Sequence, residues 1–232
     1  MGEYARRPPV IDAGDGGGSN ARHTNSGSRG ERQMTSLIIH GPAQSRAFRA
    51  IWMANELGLD YEQKDVDFRG GGTRTPEFLA VNRAGHVPAI EFAGHGMGES
   101  CAINIYLAKK HGKLIPDNLE DEARVLEWSF WVMTDVESHM LDYLFHTKML
   151  PEDQRDPKVA EKCVKALQWP LKVLEDHLSS HQWLVGDDFT VADLNVAAVF
   201  AWGKMARLDL SAFPNVTEYV GRCLGRPAAK VR

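Results

Sequence analysis

Hydrophobic positions in the first part of the chain form short apolar runs separated by a helical pattern. Residues 37–39 are an apolar run, which is typical of a buried strand. Apolar side chains between Ala47 and Leu57 recur at helical spacing, and Gly58 is the expected stop of that helix. Residues 61–67 follow as a second strand near a sheet edge. The three elements predict a βαβ unit, in which two parallel strands are joined by a right-handed crossover.

The pattern continues with a short helix, two strands and a longer helix. Pro76 follows Thr75 at a favoured first helical position, so a short helix is predicted to begin there. Residues 87–92 are predicted to form a strand, and a further turn and strand lead into a helix over residues 100–112. Residues 36–112 are therefore predicted to be βαβ, a short helix, and then ββα.

The second half of the chain shows helical spacing only. One helical segment covers residues 120–149, and another covers residues 157–178 with an expected interruption at Pro170. A third helix is predicted to begin at Thr190, which is a good N-cap residue and has Asp193 at the third helical position. This arrangement is a capping box with Asp in the place of the more common Glu.

An α/β half followed by an all-helical half predicts the fold class α/β plus all-α, with two packed domains. We expect the domains to cover residues 35–112 and residues 120–232, with a linker at residues 113–119. Residues 1–34 are rich in Gly, Ser, Arg and Asn and have almost no large apolar side chain. Such a segment buries too little surface to offset the entropy of ordering, so this N-terminal extension is predicted to be disordered.

Composition and charge narrow the possible function classes. The 232 residues include 27 Lys plus Arg and 31 Asp plus Glu, which give a net charge of −4. No long block of one sign occurs, so nucleic acid is disfavoured as the principal partner. No window approaches the roughly 18 apolar residues that a spanning helix needs, and the N-terminus lacks the apolar stretch of a secretory signal. We therefore expect a soluble, cytoplasmic protein without a membrane partner.

The cysteines are few and widely separated. Cys101, Cys163 and Cys223 form no CxxC pair. This spacing predicts neither a disulfide scaffold nor a metal site. A thiol oxidoreductase that uses Cys101 is a weak alternative, because no second cysteine is near it in the sequence.

Three places in the first half carry candidate ligand-binding chemistry. Ser45 stands at the start of the first predicted helix, where backbone N–H groups and the helix dipole favour an anion. Ser100 begins a later helix in the same way, and Glu99 before it could accept from an ammonium group. Taken alone, each serine is better explained as a plain helix cap. A cis bond at Val87–Pro88 would expose backbone groups to a ligand, although most X-Pro bonds are trans.

The order and spacing of these motifs resemble the glutathione transferase superfamily. The strings that carry the resemblance are SRAFRAI at residues 45–51, NRAGHVPAI at residues 82–90, ESCAI at residues 99–103 and FTVADL at residues 189–194. On them the chain is identified as a serine-type cytosolic member, related to bacterial, theta, phi and beta members, over about residues 36–228. The resemblance implies a thioredoxin-like domain of order βαβ-α-ββα followed by an all-helical domain. It also favours a cis Val87–Pro88 bond.

The resemblance assigns roles in binding glutathione to six residues. Ser45 takes the position of the hydroxyl that donates to the glutathione sulfur. The other five are implied as follows: the Val87 backbone pairs with the cysteinyl part, Glu99 and Ser100 hold the γ-glutamyl ammonium and carboxylate, and Arg74 and His86 are candidates for the glycyl carboxylate.

The resemblance is weaker for the substrate pocket. Trp131 and Tyr143 are candidates to line it, although aromatic residues at helical spacing are more often core. Asp135 matches an acid that some members contribute from the partner subunit. Two positions depart from the family pattern: Cys101 stands where Arg is frequent, and Ala84 where Leu or Phe is common.

The function that the resemblance implies is transfer of glutathione, as co-substrate, to a small hydrophobic electrophile in a cytoplasmic, detoxifying homodimer without a metal. Two classes of alternative stay open. A glutathione-dependent peroxidase, isomerase or dehalogenase would have the same site. A non-catalytic binding protein would keep the fold without the chemistry.

Overall fold

A four-stranded mixed sheet organises the first half of the chain. The computed structural model describes residues 37–231, so the predicted disordered extension at residues 1–34 lies outside the described residues. The strands are β1 (Leu37–His40), β2 (Tyr61–Lys64), β3 (Ala89–Phe92) and β4 (His95–Gly98). Their order in the sheet is β2-β1-β3-β4. β1 pairs in parallel with β2 and antiparallel with β3, and β3 pairs antiparallel with β4, so the predicted parallel pair is confirmed.

Three helices complete this half, α1 (Ala47–Leu57), α2 (Pro76–Val81) and α3 (Ser100–His111), with a 3₁₀ turn at Gly72–Arg74 before α2. α1 packs against α3 and β1, and it buries apolar side chains such as Ile51 and Trp52 completely. It ends at Gly58, whose φ of 67° is left-handed, as the stop signal predicted. The hydroxyl of Thr75 accepts a hydrogen bond from the Phe78 N–H and so caps α2.

The described part of the second half contains helices and connecting turns but no strand. Its helices are α4 (Leu119–Trp131), α5 (Glu137–Leu144), α6 (Pro157–Leu178), α7 (Val191–Ala206) and α8 (Pro214–Leu224). A π-helical turn at Val132–Val136 joins α4 to α5, and a second at Phe145–Met149 follows α5. Short 3₁₀ turns occupy Glu152–Gln154 and Pro227–Ala229. The predicted helical segment over residues 120–149 is therefore continuous, but two wider turns interrupt its α-helical geometry.

The expected interruption at Pro170 is wrong. α6 runs without a break from Pro157 to Leu178 with Pro170 buried inside it. A proline removes one backbone hydrogen bond from a helix interior. The apolar face around it, including the buried Leu167 and Leu171, packs on the neighbouring helices α5 and α8. This tertiary burial outweighs the local preference.

α7 lies at the centre of the helical half and also contacts the α/β half. Most of its side chains are buried, and it packs against α1, α3, α4, α5 and α8. Its start is the predicted capping box. The Thr190 side chain accepts from the Ala192 N–H, and the Asp193 carboxylate accepts from the Thr190 N–H at 2.8 Å. The described residues, 37–231, belong to one compact unit. Among them, no helix is long and apolar enough to cross a membrane.

Candidate functional site

A cavity of about 370 Å³ lies where the start of α1, the loop before β3 and the start of α3 meet. It brings together five of the residues singled out in the sequence: Ser45, His86, Val87, Glu99 and Ser100. The rest of its wall consists of Arg46, Phe68, Thr73, Gly85, Pro88 and Met133. Residues separated by up to 88 positions in the chain therefore share one surface.

Ser45 acts as a helix-start residue and lines the cavity at the same time. Its hydroxyl donates to the Pro42 carbonyl at 2.7 Å and accepts from the Ala47 N–H at 3.1 Å. The side chain is half-buried. The two interpretations of Ser45 are thus compatible, because the same oxygen completes the entry to α1 and faces the cavity. To donate to a ligand, the hydroxyl must leave the Pro42 carbonyl.

The loop before β3 approaches the turn after β1 closely at Val87. The Val87–Pro88 peptide bond is cis, as the resemblance led us to expect. Gly41, in the turn after β1, has φ of 118°, and a Cβ built on it would lie 2.9 Å from the Val87 Cβ. Only glycine allows this approach, since a side chain would meet both an unfavourable backbone conformation and a collision.

The buried Asn82 side chain stabilises the same loop through two hydrogen bonds to its backbone. Its buried amide donates to the His86 carbonyl at 2.8 Å and accepts from the Ala84 N–H at 3.1 Å. Both bonds bridge residues within the loop, so they fix its course. The His86 side chain remains exposed on the cavity wall.

Arg74 lies beside the cavity and does not line it. Its Nη1 donates to the Ala84 carbonyl at 2.9 Å, and its side chain is exposed. The guanidinium covers Gly85, where a Cβ would lie 1.8 Å from Arg74 Nη1. In this arrangement Arg74 braces the loop that carries His86.

Glu99 and Ser100 form the wall at the start of α3. Glu99 has φ of 64°, which is left-handed and uncommon for a residue with a side chain. Its carbonyl accepts from the Ile103 N–H at 2.9 Å and so begins the helix. The Glu99 side chain is exposed, whereas Ser100 is buried. A non-glycine residue in this region costs of order 1 kcal/mol or more, and such outliers cluster at functional sites.

A buried ion pair lies behind this wall. Arg49 of α1 is only 1% exposed, and its Nη1 donates to Ser100 Oγ at 3.2 Å. Its Nη2 pairs with Glu137 Oε1 at 3.2 Å, and Arg46 contacts the same carboxylate oxygen. Burial lowers the pKa of the Arg49 guanidinium, an effect that the nearby Glu137 carboxylate opposes. Both arginine side chains also lie over the Trp202 ring, at 5.3 Å for Arg46 and 5.1 Å for Arg49.

Two domain models of one protein family match this chain. Residues 36–109 match the family "Glutathione S-transferase, N-terminal domain", and residues 136–227 match "Glutathione S-transferase, C-terminal domain". The chain is 34% identical to glutathione S-transferase 3 of Zea mays over 71% of this chain and 77% of that protein. The chain belongs to the glutathione S-transferase family.

Two further proteins are similar to this chain. A solved theta class glutathione S-transferase from Xanthomonas axonopodis pv. citri, with glutathione bound, superposes with a TM-score of 0.78 at 26% identity and covers 85% of this chain and 96% of its own. Elongation factor 1-gamma 3 of Oryza sativa subsp. japonica is 28% identical over 84% of this chain. That match covers 48% of the elongation factor, so this chain spans about half its length.

Five cavity residues of this glutathione S-transferase family member had no site role predicted from the sequence: Arg46, Phe68, Thr73, Gly85 and Met133. Phe68 comes from the segment after β2, Thr73 from the 3₁₀ turn before α2, and Met133 from the π-helical turn after α4. No sequence pattern predicts which side chain of a loop or of a wider helical turn faces a cavity. Arg46 and Arg49 did offer a signal, because two charged residues interrupt an otherwise apolar helix start.

The predicted pocket residues of the helical half lie elsewhere in the described structure. Trp131 and Tyr143 are half-buried and do not line the cavity. The Trp131 ring packs edge-on against Trp128, with the ring centroids 5.0 Å apart. Asp135 is exposed on the π-helical turn and accepts from the Thr134 hydroxyl. The assignment of Trp131 and Tyr143 to the substrate pocket stays a prediction.

Cys101 follows Ser100 but is not part of the cavity wall as described. Burial raises the pKa of its thiol, although the Arg49 guanidinium acts in the opposite direction. A reactive cysteine needs a lowered pKa and access to solvent. The environment of Cys101 is therefore that of a packed thiol.

Proposed function

We propose that this chain is a glutathione transferase that conjugates glutathione to a small hydrophobic electrophile. The observation that carries the proposal is the meeting of Ser45, Val87, Glu99 and Ser100 on one cavity beside a cis Val87–Pro88 bond. Family membership and a structural relative with glutathione bound support glutathione as the co-substrate. A cytoplasmic, homodimeric enzyme of detoxification is part of the same proposal.

In this proposal the peptide lies across the cavity from α3 to α1. Ser100, buried at the first turn of α3, receives the γ-glutamyl carboxylate, and the exposed carboxylate of Glu99 receives the ammonium group. The backbone of Val87 pairs with the cysteinyl part. His86 and Arg74 receive the glycyl carboxylate, and Arg74 must turn away from the Ala84 carbonyl to do so.

The Ser45 hydroxyl then stabilises the glutathione thiolate. An unperturbed thiol with a pKa of about 8.5 is only about 3% ionised at pH 7. Lowering that pKa by about two units needs about 2.7 kcal/mol, which one or two charge-assisted hydrogen bonds supply. The Ser45 hydroxyl and the N-terminal N–H groups of α1 lie together at this point.

Thiolate formation alone gives only a small acceleration. The ionised fraction rises about 25-fold, but a less basic thiolate is a weaker nucleophile, which removes about six- to tenfold of that gain. Most of the rate must therefore come from holding the electrophile against the sulfur. Phe68 and Met133 supply apolar side chains on the wall, and we assign them to this task.

The decisive experiment identifies the product. Purified full-length protein is incubated with glutathione and an aromatic halide, and the products are analysed by mass spectrometry. We expect a thioether whose formation falls in Ser45→Ala and is retained in Cys101→Ser. Glutathione disulfide formed with a hydroperoxide, in the absence of any thioether, would instead support a peroxidase. Activity that survives Ser45→Ala but disappears in Cys101→Ser would contradict the role of Ser45.

A binding protein without catalysis is the second candidate, and the similarity to elongation factor 1-gamma favours it. Binding of glutathione, measured by titration calorimetry, separates the two functions when it is combined with turnover. Binding without turnover of aromatic halides or hydroperoxides supports the second candidate. Binding with thioether formation excludes it as the sole function.

A further inference from the structure

The Ser100 hydroxyl contacts the buried guanidinium of Arg49 on the side away from the cavity. A serine hydroxyl has one hydrogen to donate and two lone pairs that accept. Arg49 Nη1 lies 3.2 Å from Ser100 Oγ, and an arginine is always a donor, so Ser100 must be the acceptor in this bond. Its single hydrogen is then left for a group in the cavity or for the neighbouring Cys101 thiol. Without Arg49, the hydroxyl would be free to turn its hydrogen towards the protein.

Arg49 itself is fixed on several sides. Its Nη2 pairs with Glu137 Oε1 at 3.2 Å, and both side chains are almost fully buried, at 1% and 7% exposure. Its Nη1 lies 3.3 Å from the Met133 sulfur, and its guanidinium lies over the Trp202 ring. These partners come from the second half of the chain. The helical half therefore determines where the Arg49 guanidinium points.

The pair is costly to bury for stability alone. Ion pairs in a protein interior gain little over apolar residues of similar size, since both charges lose their water. Arg46, which lines the cavity, pairs with the same Glu137 carboxylate, so the three side chains together carry a net charge of +1. Beyond this charge, Arg49 provides a hydrogen bond directed at Ser100 Oγ.

We propose that Arg49 is a positioning residue that makes the Ser100 hydroxyl a donor to the γ-glutamyl carboxylate of glutathione, and that Glu137 holds Arg49 in place. This inference rests on the proposed binding of glutathione. It predicts that loss of Arg49 impairs recognition of one group of the ligand, the carboxylate, and leaves recognition of the ammonium group unchanged.

Two analogues of glutathione separate these groups. 4-Aminobutyryl-cysteinylglycine lacks the γ-glutamyl carboxylate, and glutaryl-cysteinylglycine lacks the ammonium group. Dissociation constants of the three peptides are measured by calorimetry for the wild type and for Arg49→Met/Glu137→Leu, which removes both buried charges together. We expect the preference for glutathione over the aminobutyryl peptide to fall about tenfold. The preference over the glutaryl peptide should not change.

Control variants distinguish positioning from general loosening. Arg226 and Glu56 form another ion pair between the two halves, and neither residue lines the cavity. Arg226→Met/Glu56→Leu should leave both preferences unchanged. Ser100→Ala should reproduce the loss of carboxylate preference, and adding it to Arg49→Met/Glu137→Leu should cause no further loss. Full additivity of the two losses would overturn the proposal.

The remaining outcomes are also decisive. Arg49→Lys keeps the charge but not the two-armed geometry, so it should lose part of the carboxylate preference even where the double variant fails to fold. An unchanged preference in Arg49→Lys and in any folded double variant would show that Arg49 only supports the fold. If the wild type binds no glutathione, the proposed function fails instead, and that result is seen before any variant is compared.

Discussion

Arg226 and Glu56 form a two-point ion pair that ties the end of the helical half to the first helix. Arg226 Nε lies 2.6 Å from Glu56 Oε1, and Nη2 lies 2.8 Å from Oε2. Trp52 Nε1 donates to the same carboxylate at 2.9 Å. The guanidinium also lies 3.9 Å from the Phe189 ring centroid. A carboxylate with three donors, next to an aromatic face, joins the two halves far from the cavity.

Glu56→Gln should destabilise the fold. The amide cannot accept from Arg226 at two points, and one bond to Arg226 or Trp52 is lost. The Glu56 side chain is 8% exposed but Arg226 is 31% exposed and stays partly hydrated, so we expect a loss of about 1–2 kcal/mol in the free energy of unfolding at pH 7. Urea denaturation measures it. Glu161→Gln, which breaks an exposed pair with Lys165, should cause no measurable change.

The stability contribution of Glu56 should depend on pH in one direction. Burial alone would raise the pKa of Glu56, but the bonds from Arg226 and Trp52 outweigh it and hold the pKa below the ordinary value of about 4.5. A carboxylate with a lowered folded-state pKa stabilises the fold fully above its unfolded-state pKa, and this contribution is lost as the pH falls through the folded-state value. The gap between the wild type and Glu56→Gln should therefore be constant near pH 7 and narrow below about pH 4.5. A gap that widens in acid would contradict this assignment.

Local signals in the sequence predicted the elements that depend on nearby residues. The capping box of Thr190 and Asp193 and the stop at Gly58 are set within one or two helical turns, and both are confirmed. The cis Val87–Pro88 bond is different, since its residues are compatible with either isomer. It followed from the resemblance, and no composition or spacing would have produced it.

Tertiary packing decided what the sequence did not predict. Pro170 lies in an uninterrupted helix because burial of the surrounding leucine face offsets a lost hydrogen bond. Met133 reaches the cavity through a π-helical turn, whereas Trp131, two residues earlier, packs on Trp128. Helical periodicity does not distinguish these two positions, because one extra residue in a turn changes which side chain faces the α/β half.

Gly85→Ala should weaken glutathione binding. Gly85 has φ of 64°, and a Cβ there would lie 1.8 Å from Arg74 Nη1 and 2.9 Å from the Thr73 carbonyl oxygen. The variant must move Arg74 and the loop that carries His86, so the KM for glutathione should rise about tenfold in steady-state assays. Gly94→Ala is the matched control, since Gly94 has φ of 79° with no atom within 4 Å of an added Cβ. It should show the same backbone cost in unfolding and an unchanged KM.

Asp193→Asn should destabilise the protein more than Thr190→Ala. The Asp193 carboxylate accepts from the N–H groups of Leu184 and Thr190 and from the hydroxyl of Tyr219. An amide would turn one acceptor into a donor facing buried donors, at a cost of about 3 kcal/mol. Thr190→Ala removes the cap bond from the Ala192 N–H and the bond from its hydroxyl to Asp193, and it should cost about 1–2 kcal/mol. Thermal and urea unfolding give the order, and equal losses would show that the carboxylate is not the centre of this network.

Ser45→Ala should raise the pKa of the bound glutathione thiol. Ultraviolet absorbance of the thiolate, recorded across pH with saturating glutathione, measures that pKa directly. The variant loses the Ser45 donor, but it also frees the Ala47 N–H, which now bonds to Ser45 Oγ at 3.1 Å and lies at the same helix end. Because this second donor can replace part of the lost stabilisation, we expect a rise of about one unit, equivalent to about 1.4 kcal/mol.

The kinetic counterpart of this shift has a defined direction. A higher thiol pKa moves the rising limb of the profile of kcat/KM against pH to higher pH, so the deficit of Ser45→Ala should be largest near pH 7 and shrink as the pH approaches the new pKa. Ser45→Thr, which keeps a hydroxyl, should restore most of the activity. An unchanged thiol pKa in Ser45→Ala would mean that the N–H groups of α1 carry the stabilisation alone. Ser45 would then serve only to bridge Pro42 and Ala47 at the entry to the helix.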